Sequence, residues 1–133
     1  MTRRPGPAIL VETGLALGWA SARLRLQPFE TLMASMTARP AVRGPVERED
    51  AAMLARALRA WDRRLPWRTM CFEQGLAAMR ILRRRGHEAT LHYGARGAGD
   101  MLEAHVWVTS GDVPLVGCEI AAEFRELRRF PAD

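Results

Sequence analysis

Residues 71–86 read CFEQGLAAMRILRRRG, and this stretch decides the fold that the sequence predicts. Its apolar residues recur at helical spacing and predict one buried helix face, formed by Phe72, Leu76, Met79, Ile81 and Leu82. Thr69 is a candidate cap before the first turn, and Gly86 follows a run of three arginines that suits the negative end of a helix dipole. The sequence therefore predicts a helix that begins at Met70 and Cys71 and ends at Gly86.

Beyond Gly86 the period of the apolar residues changes from helical to alternating. Residues 89–93 and 104–109 alternate apolar with polar side chains, which predicts two strands. Residues 110–112, Ser-Gly-Asp, predict a turn that leads into a third strand at 113–116 and completes a hairpin. The tail from 119 to 131 predicts one short helical turn and a last edge strand.

The part of the chain before Cys71 is predicted to be helical. Apolar spacing and Pro or Gly breaks delimit three helices, at residues 8–25, from Pro28 to Arg39, and at 46–63, with Leu65-Pro66 ending the third. Helices followed by strands indicate an α+β domain. Because 133 residues are too few for two cores, we expect one domain over 1–133, with a helical part at 1–65 and the catalytic helix plus sheet at 66–133.

The composition excludes several kinds of chemistry. All 20 basic residues are Arg and the chain has no Lys, so it cannot form a Schiff base or use a phosphate-loop lysine. It also has no Asn, which excludes a Cys-His-Asn triad. The 15 acidic residues are scattered among the bases and dilute any uniform positive face, so the net charge of +5 does not indicate nucleic-acid binding.

Cysteine usage and the N-terminal stretch bear on localisation. Two cysteines, Cys71 and Cys118, are too few for a disulfide framework, so we expect free thiols and a cytoplasmic protein. The apolar stretch 8–22 follows two arginines as in a signal peptide, but Glu12 interrupts it and its pattern continues to Leu26. It is also shorter than the ~20 residues of a membrane span, so a buried or surface-docked helix is favoured.

Cys71 is the candidate nucleophile. Unpaired backbone N–H groups and the positive end of the helix dipole favour a thiolate at the start of a helix, and Arg68 adds positive charge nearby. Free cysteines are also among the most buried residues and often only fill space. Position alone therefore leaves a structural role for Cys71 open. Cys118 is predicted to lie on a strand, where no helix end stabilises a thiolate.

Three histidines are candidates for the base. His87 follows the helix-ending Gly86 and is predicted to be a solvated cap, and His92 is predicted to point outward, half-exposed, from the first strand. His105 lies on the predicted central strand between apolar neighbours, where a titratable ring needs a partner. A core histidine with satisfied hydrogen bonds remains the alternative for His105.

Taken together, these segments resemble the transglutaminase-like cysteine hydrolase core. Within that superfamily, the chain from about residue 8 to residue 131 resembles the leader-peptide proteases of lasso peptide biosynthesis, on the following stretches: CFEQGLAA at 71–78, LHYG at 91–94, AHVWV at 104–108, GDVPLVG at 111–117 and FP at 130–131. The resemblance implies a cytoplasmic cysteine protease without a cofactor that removes the leader from a ribosomally made precursor. Its implied catalytic residues are Cys71 and His105.

The resemblance also implies partners. Such proteases work beside a leader-recognition domain and an ATP-dependent macrolactam synthetase. Family members often carry the recognition domain as an N-terminal fusion, and the helices before Cys71 look like part of the protease itself. We therefore expect a separate leader-recognition protein.

The third catalytic residue departs from the family pattern. The family has an Asp about twelve residues after the His, and this sequence has Gly117 there. Counting across the hairpin makes Glu119 the preferred orienting acid, while Asp112 is predicted to be a turn residue. A backbone carbonyl or water could orient the ring instead. Two other functions stay open, namely a transglutaminase-like amide hydrolase with another substrate and a non-catalytic peptide-binding module.

Overall fold

The computed structural model describes residues 4–64 and 71–131. Four helices come first, α1 (Pro7–Leu26), α2 (Phe29–Met36), α3 (Arg48–Arg64) and α4 (Cys71–Arg84). Four strands follow, β1 (Thr90–Arg96), β2 (Glu103–Ser110), β3 (Val113–Val116) and β4 (Arg125–Phe130). Short 3-10 helices lie at Gly99–Met101 and Cys118–Glu123. The predicted α+β class, with helices before an antiparallel sheet, is confirmed.

The sheet has the order β3-β2-β1-β4, and every pairing in it is antiparallel. The predicted hairpin is β2 and β3, joined by a turn at Gly111 and Asp112. β2 is an interior strand, as predicted, and β4 forms an edge. His105 pairs with Gly94 of β1, so the candidate base stands on an interior strand of the sheet.

Helix α4 packs across one face of the sheet and carries the centre of the core. Leu76, Met79 and Leu82 are fully buried. Gly75 lies against the sheet, since a Cβ there would stand 3.3 Å from the Val106 side chain. Such close approach of helix to strand explains how a 14-residue helix with a strongly apolar face is held in place.

The end of α4 follows the predicted glycine stop. Gly86 has φ +84°, in the left-handed region that suits glycine. Its N–H bonds to Arg83 O at 3.0 Å, and the His87 N–H bonds to Leu82 O at 3.0 Å. The helix therefore closes its last carbonyls within the chain itself.

Some predicted boundaries fall elsewhere. The third helix begins at Arg48 rather than at residue 46, because the buried Val46 uses its N–H to donate to Ser110 Oγ at 2.9 Å and joins the loop to the sheet. The predicted cap Thr69, the predicted start at Met70, the helix stop at Leu65-Pro66 and the charge of Arg68 lie outside the described residues. No helix of the described part is both long and apolar enough to cross a bilayer.

Candidate active site

Cys71 is the first residue of α4, and its side chain is half-buried. It packs against the edge of the hydrophobic core together with Phe72, whose ring meets Phe29 edge-on at 5.5 Å between centroids. The thiol therefore lies in the first turn of a helix whose start is packed against its neighbours. It is a free cysteine.

His105 is held on three sides. Its side chain is buried, with 8% of the residue exposed, and the ring lies 4.9 Å from the Phe124 ring and 5.9 Å from the Trp107 ring between centroids. Nε2 lies 2.8 Å from Gly117 O. Because a carbonyl oxygen only accepts, Nε2 carries the proton, and in the neutral ring Nδ1 is then the basic nitrogen.

Gly117 places this carbonyl by adopting a conformation that favours glycine. Its φ of +74° is left-handed, and a Cβ would stand 2.6 Å from Val106 O and 3.1 Å from His105 Nε2. Gly117 occupies the position where the lasso protease pattern has an Asp. Among the described residues, a backbone carbonyl rather than a carboxylate is bonded to the ring.

Cys71 and His105 line one cleft of about 430 Å³. The other residues of the cleft come from α3, α4 and the β3 region, and they are Ala55, Arg59, Asp62, Gln74, Leu115, Val116, Gly117 and Glu119. In the described part of the chain the Cys71 thiol and the His105 ring share this space without a hydrogen bond between them. An unliganded cysteine–histidine pair is commonly looser than the pair in the substrate complex.

Glu119, the orienting acid predicted from the sequence, lies at the rim of the same cleft. Its side chain is 69% exposed and its carboxylate stands 3.9 Å from the Arg59 guanidinium. No hydrogen bond joins Glu119 to His105 within the described residues. Asp112 lies in the β2–β3 turn, as predicted. The role of Glu119 stays a prediction.

Residues 14–129 match the sequence profile of the family described as the transglutaminase-like superfamily. The chain belongs to the transglutaminase-like superfamily. Members of this superfamily are generally cysteine peptidases or transglutaminases, so the chain has the fold of a cysteine-dependent enzyme acting on amides. Neither the curated proteins nor the solved structures gave a match to the chain.

His92 of this transglutaminase-like domain lies on the same face of the sheet as His105, but its contacts are structural. The sequence predicted a half-exposed side chain, and this is wrong, because Nε2 bonds Thr109 Oγ1 at 2.8 Å, Nδ1 pairs with Glu126, and the ring stacks on Trp107 at 5.4 Å. Burial alone would raise the pKa of Glu126, but hydrogen bonds from Arg129 and His92 outweigh burial and hold that pKa below its usual value.

His87 and Cys118 also have structural surroundings. His87 follows the end of α4, and its Nδ1 lies 3.0 Å from Gly44 O in the loop before α3. The sequence placed Cys118 on a strand, which is wrong, because the left-handed Gly117 turns the chain into a 3-10 helix that begins at Cys118. Its thiol donates to Val108 O at 3.4 Å, and burial raises its pKa. These contacts disfavour a thiolate at Cys118.

Sequence reasoning missed Gln74 and Arg59 of the cleft. Gln74 follows Cys71 by three residues and therefore lies on the same helix face. This spacing could have predicted that Gln74 lines the cleft. Arg59 comes from α3 and enters the cleft only through tertiary packing. For Gly117, the sequence left a backbone carbonyl open as the orienting group but did not identify which residue supplies it. The described part of the chain contains no group of three His, Cys, Asp or Glu side chains able to hold a metal ion.

Proposed function

We propose that this protein is a cysteine peptidase that removes the leader peptide from a ribosomally made lasso precursor before macrolactam formation. The observation that carries the proposal is the cleft shared by Cys71 at the start of α4 and His105 on β2, with the His105 ring bonded to a fixed carbonyl. The superfamily membership supports cysteine chemistry on an amide bond. The sequence resemblance supports the lasso leader as substrate.

The reaction begins with proton transfer from the Cys71 thiol to His105 Nδ1, since Nε2 is committed to Gly117 O. The thiolate attacks the scissile carbonyl carbon, and the protonated His105 gives its proton to the leaving amine as the peptide bond breaks. Water then attacks the thioester, with His105 taking a proton from it, and the leader carboxylate leaves as the thiol reforms. The thiol and the ring must approach each other when substrate binds, because they are not hydrogen-bonded in the free cleft.

The Gly117 carbonyl is the orienting group in this mechanism. It fixes the tautomer of His105 and, as the negative end of a peptide dipole, stabilises the imidazolium that forms. A neutral carbonyl stabilises a cation less than a carboxylate does. Glu119 is the alternative, acting after release from Arg59. Glu119→Gln separates the two, since a carbonyl-oriented site keeps its rate and a Glu119-oriented site loses most of it.

The proposal carries the implied partners with it. The substrate is the precursor peptide, a separate leader-recognition protein presents it, and a macrolactam synthetase closes the ring after cleavage, all in the cytoplasm and without a cofactor for the protease. A long flexible leader gains little affinity from a short cleft alone. A recognition protein that tethers the precursor would raise its effective concentration at the cleft.

The test is incubation of the full chain with the precursor and the recognition protein, followed by mass spectrometry of the products, with Cys71→Ala as the matched inactive control. A single cut between leader and core supports the proposal. Cleavage of other amides but not of the precursor would indicate a transglutaminase-like amide hydrolase. Binding of the precursor with no cleavage under any condition would indicate a non-catalytic peptide-binding module and overturn the proposal.

A further inference from the structure

A groove rich in arginine runs along α3 beside the cleft. It encloses about 630 Å³, and its arginines are Arg4, Arg56, Arg59, Arg63 and Arg64, with Pro5, Leu10 and Ala60 as the other lining residues. None of these described lining residues is acidic. We call this feature the α3 basic groove.

The amphipathic helix α3 explains the arrangement. Arg56, Arg59 and Arg63 follow one another at i, i+3 and i+7 and therefore project from one face of the helix. Leu54 and Leu58 are fully buried and attach the opposite face to the core. At ~1.5 Å of rise per residue the three guanidinium groups form a stripe about 10 Å long.

Most of the positive charge of the groove is not neutralised by ion pairs within the described chain. Arg59 meets Glu119 at 3.9 Å, and the other four arginines make no ion pair with a described carboxylate. Arginines elsewhere on the surface do find Glu partners, for example Arg85, Arg96, Arg128 and Arg129. The α3 basic groove thus lacks acceptors that other arginines of the same protein possess.

Arg56 supplies an independent sign that an acceptor is missing. Its Nε is buried and has no hydrogen-bond partner among residues 4–64 and 71–131. A buried donor without an acceptor is costly, and native proteins rarely tolerate one unless a ligand or water completes it. The acceptor that fits a guanidinium best is a carboxylate, which takes two parallel hydrogen bonds.

Arg59 joins the groove to the catalytic cleft, because it lines both. We infer that the α3 basic groove binds an acidic segment of the peptide substrate, whose Asp or Glu carboxylates pair with Arg56, Arg59 and Arg63. This inference rests on the proposed peptidase function. A peptide fits better than a nucleic acid, since the stripe is short and Glu119 stands where it enters the cleft.

The length of the stripe sets the placement of the acidic residues. An extended peptide advances ~3.3 Å per residue, so a 10 Å stripe matches about three residues. Because Arg59 lines both the groove and the cleft, the acidic residues should lie close in sequence to the bond that is cut. When such a substrate binds, its carboxylate replaces Glu119 as the partner of Arg59.

The test measures binding without cleavage, on the full chain carrying Cys71→Ser. Fluorescence anisotropy compares two labelled Gly/Ser dodecapeptides, one with three consecutive Glu and the other with three Gln. The Glu peptide should bind at least about fivefold tighter, and the preference should shrink with added salt. Arg63→Gln/Arg64→Gln should weaken Glu-peptide binding about fivefold, because it removes the proposed charge pair of Arg63 and the nearby positive charge of Arg64 on the groove wall.

The matched control is Arg83→Gln/Arg84→Gln, which removes the same charge from the last turn of α4 instead of the last turn of α3. This control should leave binding within about twofold. Three results would each overturn the inference. The first is an equal loss in both double variants, and the second is equal affinity for the Glu and Gln peptides. The third is tighter binding of a thymidylate dodecamer than of the Glu peptide, if Arg63→Gln/Arg64→Gln abolishes that binding.

Arg56→Lys tests the buried nitrogen, because it keeps the charge and removes Nε. It should weaken Glu-peptide binding about threefold with an unchanged thermal unfolding curve. Failure of the peptidase proposal would appear as uncut precursor in the wild-type chain, whereas failure of this inference would appear as lost Glu preference in the Cys71→Ser chain. The two results are independent.

Discussion

Replacement of Gly117 by Ala tests how the His105 ring, the proposed base, is held. Gly117 has φ +74°, and a left-handed conformation costs a residue with a Cβ about 1–2 kcal/mol. The new Cβ would stand 2.6 Å from Val106 O, a backbone atom that moves only with β2, which adds about 1–3 kcal/mol of overpacking. The free energy of unfolding should therefore fall by about 3 kcal/mol.

For 133 residues, each kcal/mol corresponds to about 3.5 °C in Tm, so Gly117→Ala should lower Tm by about 10 °C. The assay is thermal unfolding followed by circular dichroism. Gly99→Ala is the matched control, because Gly99 also has a positive φ, +58°, but a Cβ there would meet nothing within 4 Å. The control isolates the backbone cost and should lower Tm by about 4 °C.

The same substitution should reduce activity by more than the loss of folded protein explains. The Cβ would lie 3.1 Å from His105 Nε2, so the ring or the carbonyl must shift and the 2.8 Å hydrogen bond must lengthen. At a temperature where the variant is folded, kcat/KM should fall at least about tenfold. A Tm loss no larger than that of Gly99→Ala, together with unchanged kcat/KM, would refute the account of Gly117.

Three further outcomes follow from the site. Cys71→Ala should abolish leader removal in mass-spectrometric assays. Cys118→Ala should keep at least about half of the activity, because that thiol is hydrogen-bonded and burial raises its pKa. Equal losses in the two folded variants would contradict the assignment of Cys71 as nucleophile. His105→Gln should lower kcat about 10³-fold, while His87→Gln should change it less than about twofold, and a smaller loss for His105 would remove its role as base. Glu126→Gln should lower the free energy of unfolding by about 1 kcal/mol at pH 7 in urea titrations. Since the folded-state pKa of Glu126 is lowered, its stabilisation is present above its unfolded-state pKa and lost as the pH falls through the folded-state pKa, so an equally large effect at pH 3 would argue against the ion pair.

Local features of the sequence determined the elements of this fold. The 3.6-residue and two-residue periods of the apolar residues predict the helices and strands, because each period reflects the geometry of one element. Gly86 ends α4, and the turn at Gly111 joins β2 to β3. A glycine in the left-handed conformation ends an element or reverses the chain at its own position, so this effect is local in the sequence. The candidates Cys71 and His105 also came from the sequence, from their positions on a helix start and an interior strand.

Only the tertiary structure decided which groups meet. His92 is buried because Trp107 and Glu126, from two other strands, cover it. The group bonded to the His105 ring is the Gly117 carbonyl, which sequence patterns of side chains cannot reveal. Arg59 enters the cleft through the packing of α3 against the sheet. Such contacts join residues distant in the chain, and they depend on the whole topology rather than on local hydrogen bonding and periodicity.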